Sequence, residues 1–296
     1  MPELPEVETV RRGLERRVLG RSIAAIEILN PLVIRGDVNA FRRCAEGHTI
    51  VSLRRKGKTL ALELRGENSE PLTFLALRLG MTGQVVVAPA QIPRPPHTHV
   101  CMALDDGREE LRYRDPRRFG MLRCCSAEDI EKLFGSLGPD ALEMTQQEFD
   151  QALQGRSGAV KGLLLNQQVI AGLGNIYADE ALFEARIHPR TRAGAIPAPA
   201  RRRLYVAIRQ VLRRAVDLQG TSFRDYTDID GNPGNFEPRL RVYGRTGKPC
   251  RRCHTPIRRI IICGRSSHYC PLCQPRPRKI APAGKPEALD KTGSLR

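Results

Sequence analysis

Apolar residues recur at helical spacing near the N-terminus, where they predict a helix over residues 5–18. The apolar positions of this stripe are Val7, Val10, Leu14 and Val18. Pro5 suits the first turn of a helix. The acids Glu3 and Glu6 lie at the N-terminal end of this helix, where the helix dipole favours negative charge.

Residues 22–125 contain short runs in which apolar and polar positions alternate. Two pairs of runs predict hairpins, one over 48–66 around Lys56 and Gly57, and one over 98–115 around an Asp-Gly turn. Evenly spaced short strands are typical of sandwiches and barrels. The first part of the chain is therefore expected to be a helix followed by a β-domain.

Helical spacing returns after residue 126 and is clearest over 200–220. The apolar face of that segment consists of Leu204, Ile208, Val211, Leu212 and Ala215. Residues 221–238 are rich in Gly, Asp, Asn and Pro and predict a mobile loop. The pattern favours an α+β fold with these parts: a first domain (1–125), a linker (126–140), a helical domain (141–240), a cysteine-rich segment (241–275) and a disordered basic tail (276–296).

The charge of the chain points to a polyanionic partner. Its 296 residues include 49 lysines and arginines against 32 acids, a formal net charge of +17. Nucleic acid is the first candidate partner and a membrane surface the second, while a basic but inert surface is the alternative. No apolar run approaches the roughly 20 residues of a membrane span. The N-terminus also lacks the features of a secretory signal, so the cytoplasm is the expected compartment.

Four of the nine cysteines are spaced as two Cys-x2-Cys knuckles: Cys250, Cys253, Cys270 and Cys273. This spacing predicts one structural Zn²⁺ held by four thiolates, and two disulfides are the alternative. A site closed by four thiolates leaves no position for a reacting water. The other five cysteines show no ligand spacing and are expected to be small buried hydrophobes: Cys44, Cys101, Cys124, Cys125 and Cys263.

The chain carries, in this order, the motifs "MPELPEVE" (1–8), "LGMTG" (79–83), "DPRRFG" (115–120), "GLGNIYADE" (172–180) and "VYGRTGKPCRRC…YCPLCQ" (242–274). Together they resemble the formamidopyrimidine-DNA glycosylase family. The resemblance implies an N-terminal helix with a β-sandwich, a helix–two-turn–helix domain and a zinc-finger hairpin. It also implies a bifunctional glycosylase and AP lyase of base excision repair, which removes 8-oxoguanine and formamidopyrimidines from duplex DNA and then nicks the strand by β,δ-elimination.

By this resemblance the catalytic residues are Pro2, Glu3, Lys58 and Arg265. Once Met1 is removed, Pro2 is the nucleophile that forms a Schiff base with the deoxyribose. An α-amine with a pKa near 8 is about one-tenth unprotonated at neutral pH, against roughly one lysine in a few thousand. Glu3 would protonate the sugar ring oxygen and Arg265 would assist the second elimination. Lys58 would assist the first, and neighbouring Lys56 is the alternative lysine.

The resemblance also implies the residues that contact DNA. The stack vacated by the extruded nucleotide would be filled by Met81, Arg117 and Phe119, and Arg117 would bond the orphaned base. The alternative is that Met81 and Phe119 are core residues. Further expected DNA contacts are His97, Arg156, Lys161, Asn175 and Tyr177, with Asn175 as the N-cap of a helix whose N-terminus binds phosphate.

Residues 221–226 resemble a lid over the extruded base, although Gln219 stands where the family often has glycine. The expected protein is a monomer in the cytoplasm, associated with the nucleoid, with one zinc ion. Its partner is duplex DNA containing oxidised purines or abasic sites, and no membrane. Two other readings remain: an endonuclease VIII-like enzyme for oxidised pyrimidines, disfavoured by Leu4, and a non-catalytic zinc-ribbon DNA-binding protein.

Overall fold

The computed structural model describes residues 2–66, 71–223 and 226–276. The predicted tail, apart from Arg276, lies outside the described residues, as do positions 224 and 225 of the predicted lid. The elements of the first half are α1 (Leu4–Val18), β1 (Ile23–Ile28), α2 (Val38–Ala45), β2 (Thr49–Lys56), β3 (Thr59–Arg65), β4 (Thr73–Arg78), β5 (Gln84–Pro89), β6 (Thr98–Leu104), β7 (Glu109–Arg114) and β8 (Met121–Ser126). Those of the second half are α3 (Ala127–Gly135), α4 (Gln146–Leu153), α5 (Val160–Leu165), α6 (Asn175–Glu184), α7 (Ala198–Asp217), β9 (Arg258–Ile262) and β10 (Arg265–Tyr269).

Two antiparallel sheets form a β-sandwich, in the orders β1-β6-β7-β5 and β2-β3-β4-β8. Both predicted hairpins are present, because β2 pairs with β3 and β6 pairs with β7. Apolar residues of both sheets and of α1 form one continuous core. The predicted α+β architecture is therefore confirmed.

Helix α2 interrupts the region that the sequence pattern assigned to strands. Its N-cap Asp37 accepts a hydrogen bond from the backbone N–H of Ala40 at 2.7 Å, and it buries Phe41, Cys44 and Ala45. The helix is only eight residues long, so its apolar face is too short to stand out from the alternating runs around it.

Helix α1 belongs to both domains. Val7, Val10 and Leu14 lie in the core of the sandwich, whereas Leu4 lies in the core of the helical domain. The backbone N–H of Leu4 donates to the carbonyl of Gly172 at 3.1 Å. The first turn of α1, and with it Pro2, is therefore fixed at the junction of the two domains.

The helical domain buries the predicted apolar face of α7 against α4 and α6. Helix α3 lies in the segment expected to be a linker, and it packs Ile130 and Phe134 against the outer face of β4. The described part of the predicted mobile loop is packed as well. Ile229 lies in the sandwich core and Phe236 in the helical core, so this segment connects the two domains instead of standing free.

The cysteines outside the knuckles differ from the expectation in three cases. Cys101 and Cys125 are buried free thiols as expected. Cys44 and Cys124 instead form a disulfide that joins α2 to β8, with a Cα–Cα distance of 6.2 Å. Cys263 is exposed at the turn between β9 and β10, with φ of 48°. Spacing along the chain gave no sign of the disulfide, because its two cysteines are 80 residues apart.

Candidate active site

A cleft of ≈ 340 Å³ opens beside the first turn of α1. The described residues that line it are Pro2, Val7, Arg35, Lys58, Arg78, Leu79, Gly80, Phe119 and Met121. Three of these side chains are basic, and none carries a carboxylate. Pro2 is buried just before the first turn of α1, and it lines the same basic cavity as Lys58.

Glu3 lies behind this cleft, and its carboxylate occupies the N-terminus of α6. It accepts hydrogen bonds from the backbone N–H groups of Gly174 at 2.8 Å, Ile176 at 3.0 Å and Tyr177 at 3.4 Å. The helix N-terminus predicted to hold a DNA phosphate is therefore filled by the protein's own acid. The N-cap is Gly174 and not Asn175, which is the first residue of the helix.

Gly174 lies next to both Glu3 and Lys58. A Cβ built on Gly174 would lie 2.4 Å from Cδ of Glu3 and 2.7 Å from Nζ of Lys58. Real atoms do not approach so closely, so any side chain at this position would displace both groups. The absence of a side chain at Gly174 allows the carboxylate and the amine both to lie against this end of the helix.

The hairpin turn that carries Lys58 is held from the other domain. The backbone N–H of Gly57 donates to Asp140 at 2.7 Å, and Gly57 has φ of 57°. Asp140 also pairs with the buried guanidinium of Arg55. The structure places Lys58 in the cleft, whereas Lys56 lines a separate surface depression with Pro139 and Glu148.

Lys58 is buried, and this burial lowers its pKa by disfavouring the charged amine. Glu3 and Glu6 oppose the shift, while the nearby charges of Arg265 and Arg78 add to it. A lysine in this setting is more readily deprotonated than one in water. Arg265, exposed at the first residue of β10, therefore acts electrostatically on the Lys58 amine.

Glu6 is fully buried and organises the backbone around Pro2. It accepts hydrogen bonds from the N–H of Glu3 at 2.7 Å, the N–H of Thr221 at 2.8 Å and the hydroxyl of Tyr177. Burial raises the pKa of Glu6, and the neighbouring Glu3 adds to the rise. Gly220 is needed at this contact, because a Cβ there would lie 2.7 Å from Oε1 of Glu6.

Two residues expected to contact DNA are instead fully buried. Tyr177 is 0% exposed, and its hydroxyl lies between Glu6 and Thr221. Lys161 is also 0% exposed, and its amine contacts Asp179 at 2.7 Å and the carbonyl of Ser266 at 2.7 Å. In this structure both side chains connect elements inside the protein, which their motif positions did not indicate. A DNA contact through either side chain stays a prediction.

Lys161 and Asp179 fix the zinc-finger hairpin to the helical domain. Asp179 also accepts hydrogen bonds from the hydroxyl of Ser267 at 3.0 Å and the N–H of His268 at 2.8 Å. Both donors lie on β10, the strand that begins with Arg265. The buried pair therefore determines where Arg265 lies relative to the cleft.

The other expected DNA contacts lie on the surface or near it. His97, Arg117 and Arg156 are exposed, Phe119 is 60% exposed, and Met81 is half-buried. The guanidinium of Arg117 lies over the Phe119 ring at 4.6 Å. The wedge loop, residues 115–120, therefore presents Arg117 and Phe119 to a ligand.

Asp115 holds the wedge loop in shape. Its carboxylate accepts hydrogen bonds from the hydroxyl of Thr82 and from the backbone N–H of Gly120 at 2.8 Å. Arg118, between Arg117 and Phe119, has φ of 55°, which a non-glycine residue rarely adopts. The buried acid supplies the local hydrogen bonds that maintain this backbone.

Residues missed by the sequence analysis also contribute to the site. Arg35 and Arg78 line the cleft, and the pair formed by Arg55 and Asp140 supports the Lys58 turn. Arg78 lies between the buried Leu77 and Leu79 at the end of β4. This alternation in the sequence indicates that the Arg78 side chain is exposed, but not that it faces the cleft. Gln219 has φ of 61°, so a glycine would be less strained at this position before the lid.

The four knuckle cysteines converge, with all four Sγ atoms within 4.8 Å of one another. Individual Sγ–Sγ distances are 3.4 Å for Cys253 to Cys270 and 4.0 Å for Cys250 to Cys273. Tetrahedral zinc with Zn–S bonds of about 2.3 Å requires sulfurs about 3.8 Å apart. The N–H groups of Arg252 and Cys273 also point at ligand sulfurs at 3.4 Å. The cysteines therefore fit one structural zinc ion, which would fix the base of the β9–β10 hairpin.

Comparisons with known proteins agree with this geometry. Family models match the formamidopyrimidine-DNA glycosylase N-terminal domain over residues 1–122, the H2TH domain of the same family over 137–227, and a zinc finger found in FPG and IleRS over 247–276. A formamidopyrimidine-DNA glycosylase of Symbiobacterium thermophilum is 45% identical over 286 residues, covering 95% of this chain and 92% of the relative. One of Herpetosiphon aurantiacus is 43% identical, covering 93% of this chain and 100% of the relative.

Solved structures show the same similarity. Lactococcus lactis Fpg in complex with an abasic-site-containing DNA has a TM-score of 0.85 and 34% identity, covering 93% of this chain and 100% of that chain. A mutant of the same protein, in complex with a Fapy-dG-containing DNA, gives the same values. Because relatives match over nearly their whole length and the three domains follow in the same order, this chain belongs to the formamidopyrimidine-DNA glycosylase family.

Proposed function

We propose that Pro2, once Met1 is removed, attacks C1′ of an oxidised purine nucleotide in duplex DNA. The protein is a DNA glycosylase of base excision repair, and it acts on oxidised purines such as 8-oxoguanine and formamidopyrimidines. The new bond joins the Pro2 nitrogen to C1′ while the N-glycosidic bond breaks and its electrons leave with the base. The C1′–O4′ bond then breaks as the ring oxygen takes up a proton, and the nitrogen lone pair forms the iminium that joins Pro2 to the opened sugar.

The observation that carries this proposal is that Pro2 and Lys58 share one cleft, with Glu3 held directly behind them. Three backbone amides stabilise the carboxylate of Glu3. In this form Glu3 can accept the proton that the Pro2 nitrogen loses on attack and then deliver it to the ring oxygen. One carboxylate therefore serves as base first and acid second.

Strand cleavage follows from the same iminium. Loss of a proton from C2′ expels the 3′ phosphate, and a second elimination expels the 5′ phosphate. A Lys58 amine whose pKa is lowered by burial can take the C2′ proton. Arg265, exposed near the cleft, is the cation that would receive a departing phosphate.

Extrusion of the damaged nucleotide requires a replacement in the base stack. The exposed pair of Arg117 and Phe119, with the half-buried Met81, supports a role as that wedge. The guanidinium of Arg117 can donate to the acceptors of the orphaned base. His97 and Arg156 are exposed cations or donors for the flanking backbone.

Borohydride trapping with peptide mapping tests the assignment. We expect reduction with an abasic-site duplex to give one covalent adduct, located on the N-terminal peptide at Pro2. Glu3→Gln should slow base excision strongly while retaining DNA binding, and Glu15→Gln, an acid on the same helix with a largely exposed side chain, is the matched control. An adduct that maps to Lys58, or an unprocessed Met1 in an active enzyme, would contradict the proposal.

A comparison of substrates separates this function from the oxidised-pyrimidine alternative. Leu4, the residue that disfavours that alternative, is fully buried against Gly172. A Cβ built on Gly172 would lie 2.4 Å from Cδ1 of Leu4. We expect duplexes with 8-oxoguanine opposite cytosine to be cleaved faster than duplexes with thymine glycol. Faster cleavage of thymine glycol would favour the hypothesis of an endonuclease VIII-like enzyme. Absence of any trapped adduct would favour the hypothesis of a non-catalytic DNA-binding protein.

We further propose that the enzyme acts as a monomer in the cytoplasm, associated with the nucleoid. Among the described residues, no helix is both long and apolar enough to cross a membrane. Sedimentation of the protein with and without a lesion duplex, and fluorescence imaging of a tagged chain, test these two points.

A further inference from the structure

A second cavity, of ≈ 280 Å³, lies between the zinc-finger hairpin and the turn that follows α6. Its lining shares no residue with the catalytic cleft. The side chains that matter here are three arginines, Arg190, Arg258 and Arg276, together with His188 and Tyr269. None of the described lining residues is acidic.

The three guanidiniums have no anionic partner among the described residues. In the part of the chain that the structure describes, neither Arg190, Arg258 nor Arg276 forms an ion pair, although many other arginines of this protein do. Three like charges gathered at one cavity repel one another, and a bound anion would relieve this repulsion. Guanidinium groups suit the oxygens of a phosphate, which they can bind through paired hydrogen bonds.

His188 adds a neutral donor to the cavity. Its Nδ1 accepts a hydrogen bond from the backbone N–H of Arg190 at 3.1 Å, which fixes the tautomer and leaves the proton on Nε2. Burial, reinforced by Arg276 and Arg190, lowers the pKa of His188 to about 4, so the ring stays neutral at physiological pH. The ring can therefore donate a hydrogen bond without adding a fourth charge.

The cavity is rigid on the side of the zinc finger. The His188 ring contacts the Tyr269 ring edge-on at 4.7 Å. Gln274 accepts from the N–H of Cys270 at 2.9 Å and donates to the carbonyl of Ile187 at 2.8 Å. These bonds connect the turn after α6 to the metal-binding knuckle, so the two walls of the cavity keep their spacing.

We infer that this cavity, defined by Arg190, Arg258, Arg276 and His188, is a second phosphate-binding site apart from the catalytic cleft. The phosphate belongs to a DNA backbone outside the lesion step or to a free phosphate anion, and the two sources share this chemistry. The inference does not depend on the catalytic assignment of Pro2, because it concerns binding and can be measured without a lesion.

The test compares wild type with the double variant Arg190→Gln, Arg258→Gln. The matched control is Arg202→Gln, Arg203→Gln, which removes the same charge from exposed positions on α7, away from the cavity. In the first arm, binding of a lesion-free duplex is measured over a range of salt concentrations. We expect the magnitude of the negative slope of log K against log salt to decrease by about 1 to 2 in the cavity variant, and by less in the control.

In the second arm, inorganic phosphate and pyrophosphate are titrated while the ³¹P linewidth and the melting temperature are recorded. A response seen in wild type and the control but lost in the cavity variant identifies a free anion as the ligand. A change confined to the duplex arm identifies the DNA backbone.

Circular dichroism, zinc content and borohydride trapping at low salt should be unchanged in the cavity variant, which would show that it is folded and retains its chemistry. Arg258→Lys, which keeps the positive charge, should retain most of the phosphate or duplex binding that the cavity variant loses. The inference is overturned if the cavity variant matches the control in both arms.

Discussion

Removing the carboxylate of Asp140 should destabilise the protein and misplace Lys58 at the same time. Asp140 accepts hydrogen bonds from Arg55, from the N–H of Gly57 at 2.7 Å and from the N–H of Leu142 at 3.0 Å. The Arg55 side chain is 2% exposed, and its remaining partners are Glu8 at 2.9 Å, the carbonyl of Gly57 at 3.2 Å and the exposed Glu143 at 3.6 Å. Asp140→Ala therefore leaves a buried N–H without a partner and a buried cation half-compensated.

The expected loss of stability can be worked out from these contacts. Breaking one side of a buried ion pair costs about 3–5 kcal/mol, and an unpaired buried N–H costs about 1–3 kcal/mol. Because Glu8 still compensates part of the Arg55 charge, we expect Asp140→Ala to lower the free energy of unfolding by about 3–4 kcal/mol. Asp140→Asn, which keeps the shape and one acceptor, should lower it by about 1–2 kcal/mol.

Urea unfolding followed by circular dichroism measures the stability, and the rate of strand cleavage at an abasic site, the step assigned to Lys58, measures the position of Lys58. Asp150→Asn is the control, because Asp150 pairs with Arg201 on the surface and should cost less than about 1 kcal/mol. If Asp140→Ala is no less stable than Asp150→Asn, or if it cleaves the abasic strand at the wild-type rate, the reasoning about this buried pair is wrong.

Three further predictions concern the site and the two sulfur centres. Gly174→Ala should reduce excision of 8-oxoguanine by about 100-fold while abasic DNA still binds. The reason is that the new Cβ would displace the Glu3 carboxyl and the Lys58 amine by about 1 Å. An unchanged excision rate would mean that the backbone at the N-terminus of α6 moves to accommodate the methyl group. Cys250→Ser should lower the metal content measured by atomic emission from one zinc per chain towards zero and weaken DNA binding, and retained zinc would contradict a four-thiolate site. Reducing the Cys44–Cys124 disulfide should lower the free energy of unfolding by about 4.5 kcal/mol, the loss of chain entropy expected for a cross-link between residues 80 apart. Equal urea midpoints with and without reductant would show that the two thiols are not joined.

Patterns within short stretches of the chain were enough to predict much of the fold. The stripe of α1, the two hairpins, the buried face of α7 and the zinc knuckles all depend on residues that lie close together in the sequence. A helical or alternating period places side chains on one face whatever the rest of the fold does. The motifs also identified the family, because several long motifs in one order are specific.

The partners of the charged groups, by contrast, emerged only from the packing of distant elements. Glu3 reaches the N-terminus of α6 from 171 residues away, and it fills the site that the motif seemed to offer to a phosphate. Lys161, basic in the sequence, is buried because Asp179 and a carbonyl of the zinc finger compensate its charge. Periodicity indicates which face of an element is apolar, but burying a charge requires a partner, and that partner is supplied by whichever element packs against it. For this reason the candidate catalytic residues could be proposed from the motifs, whereas the contacts that position them could be read only from the folded protein.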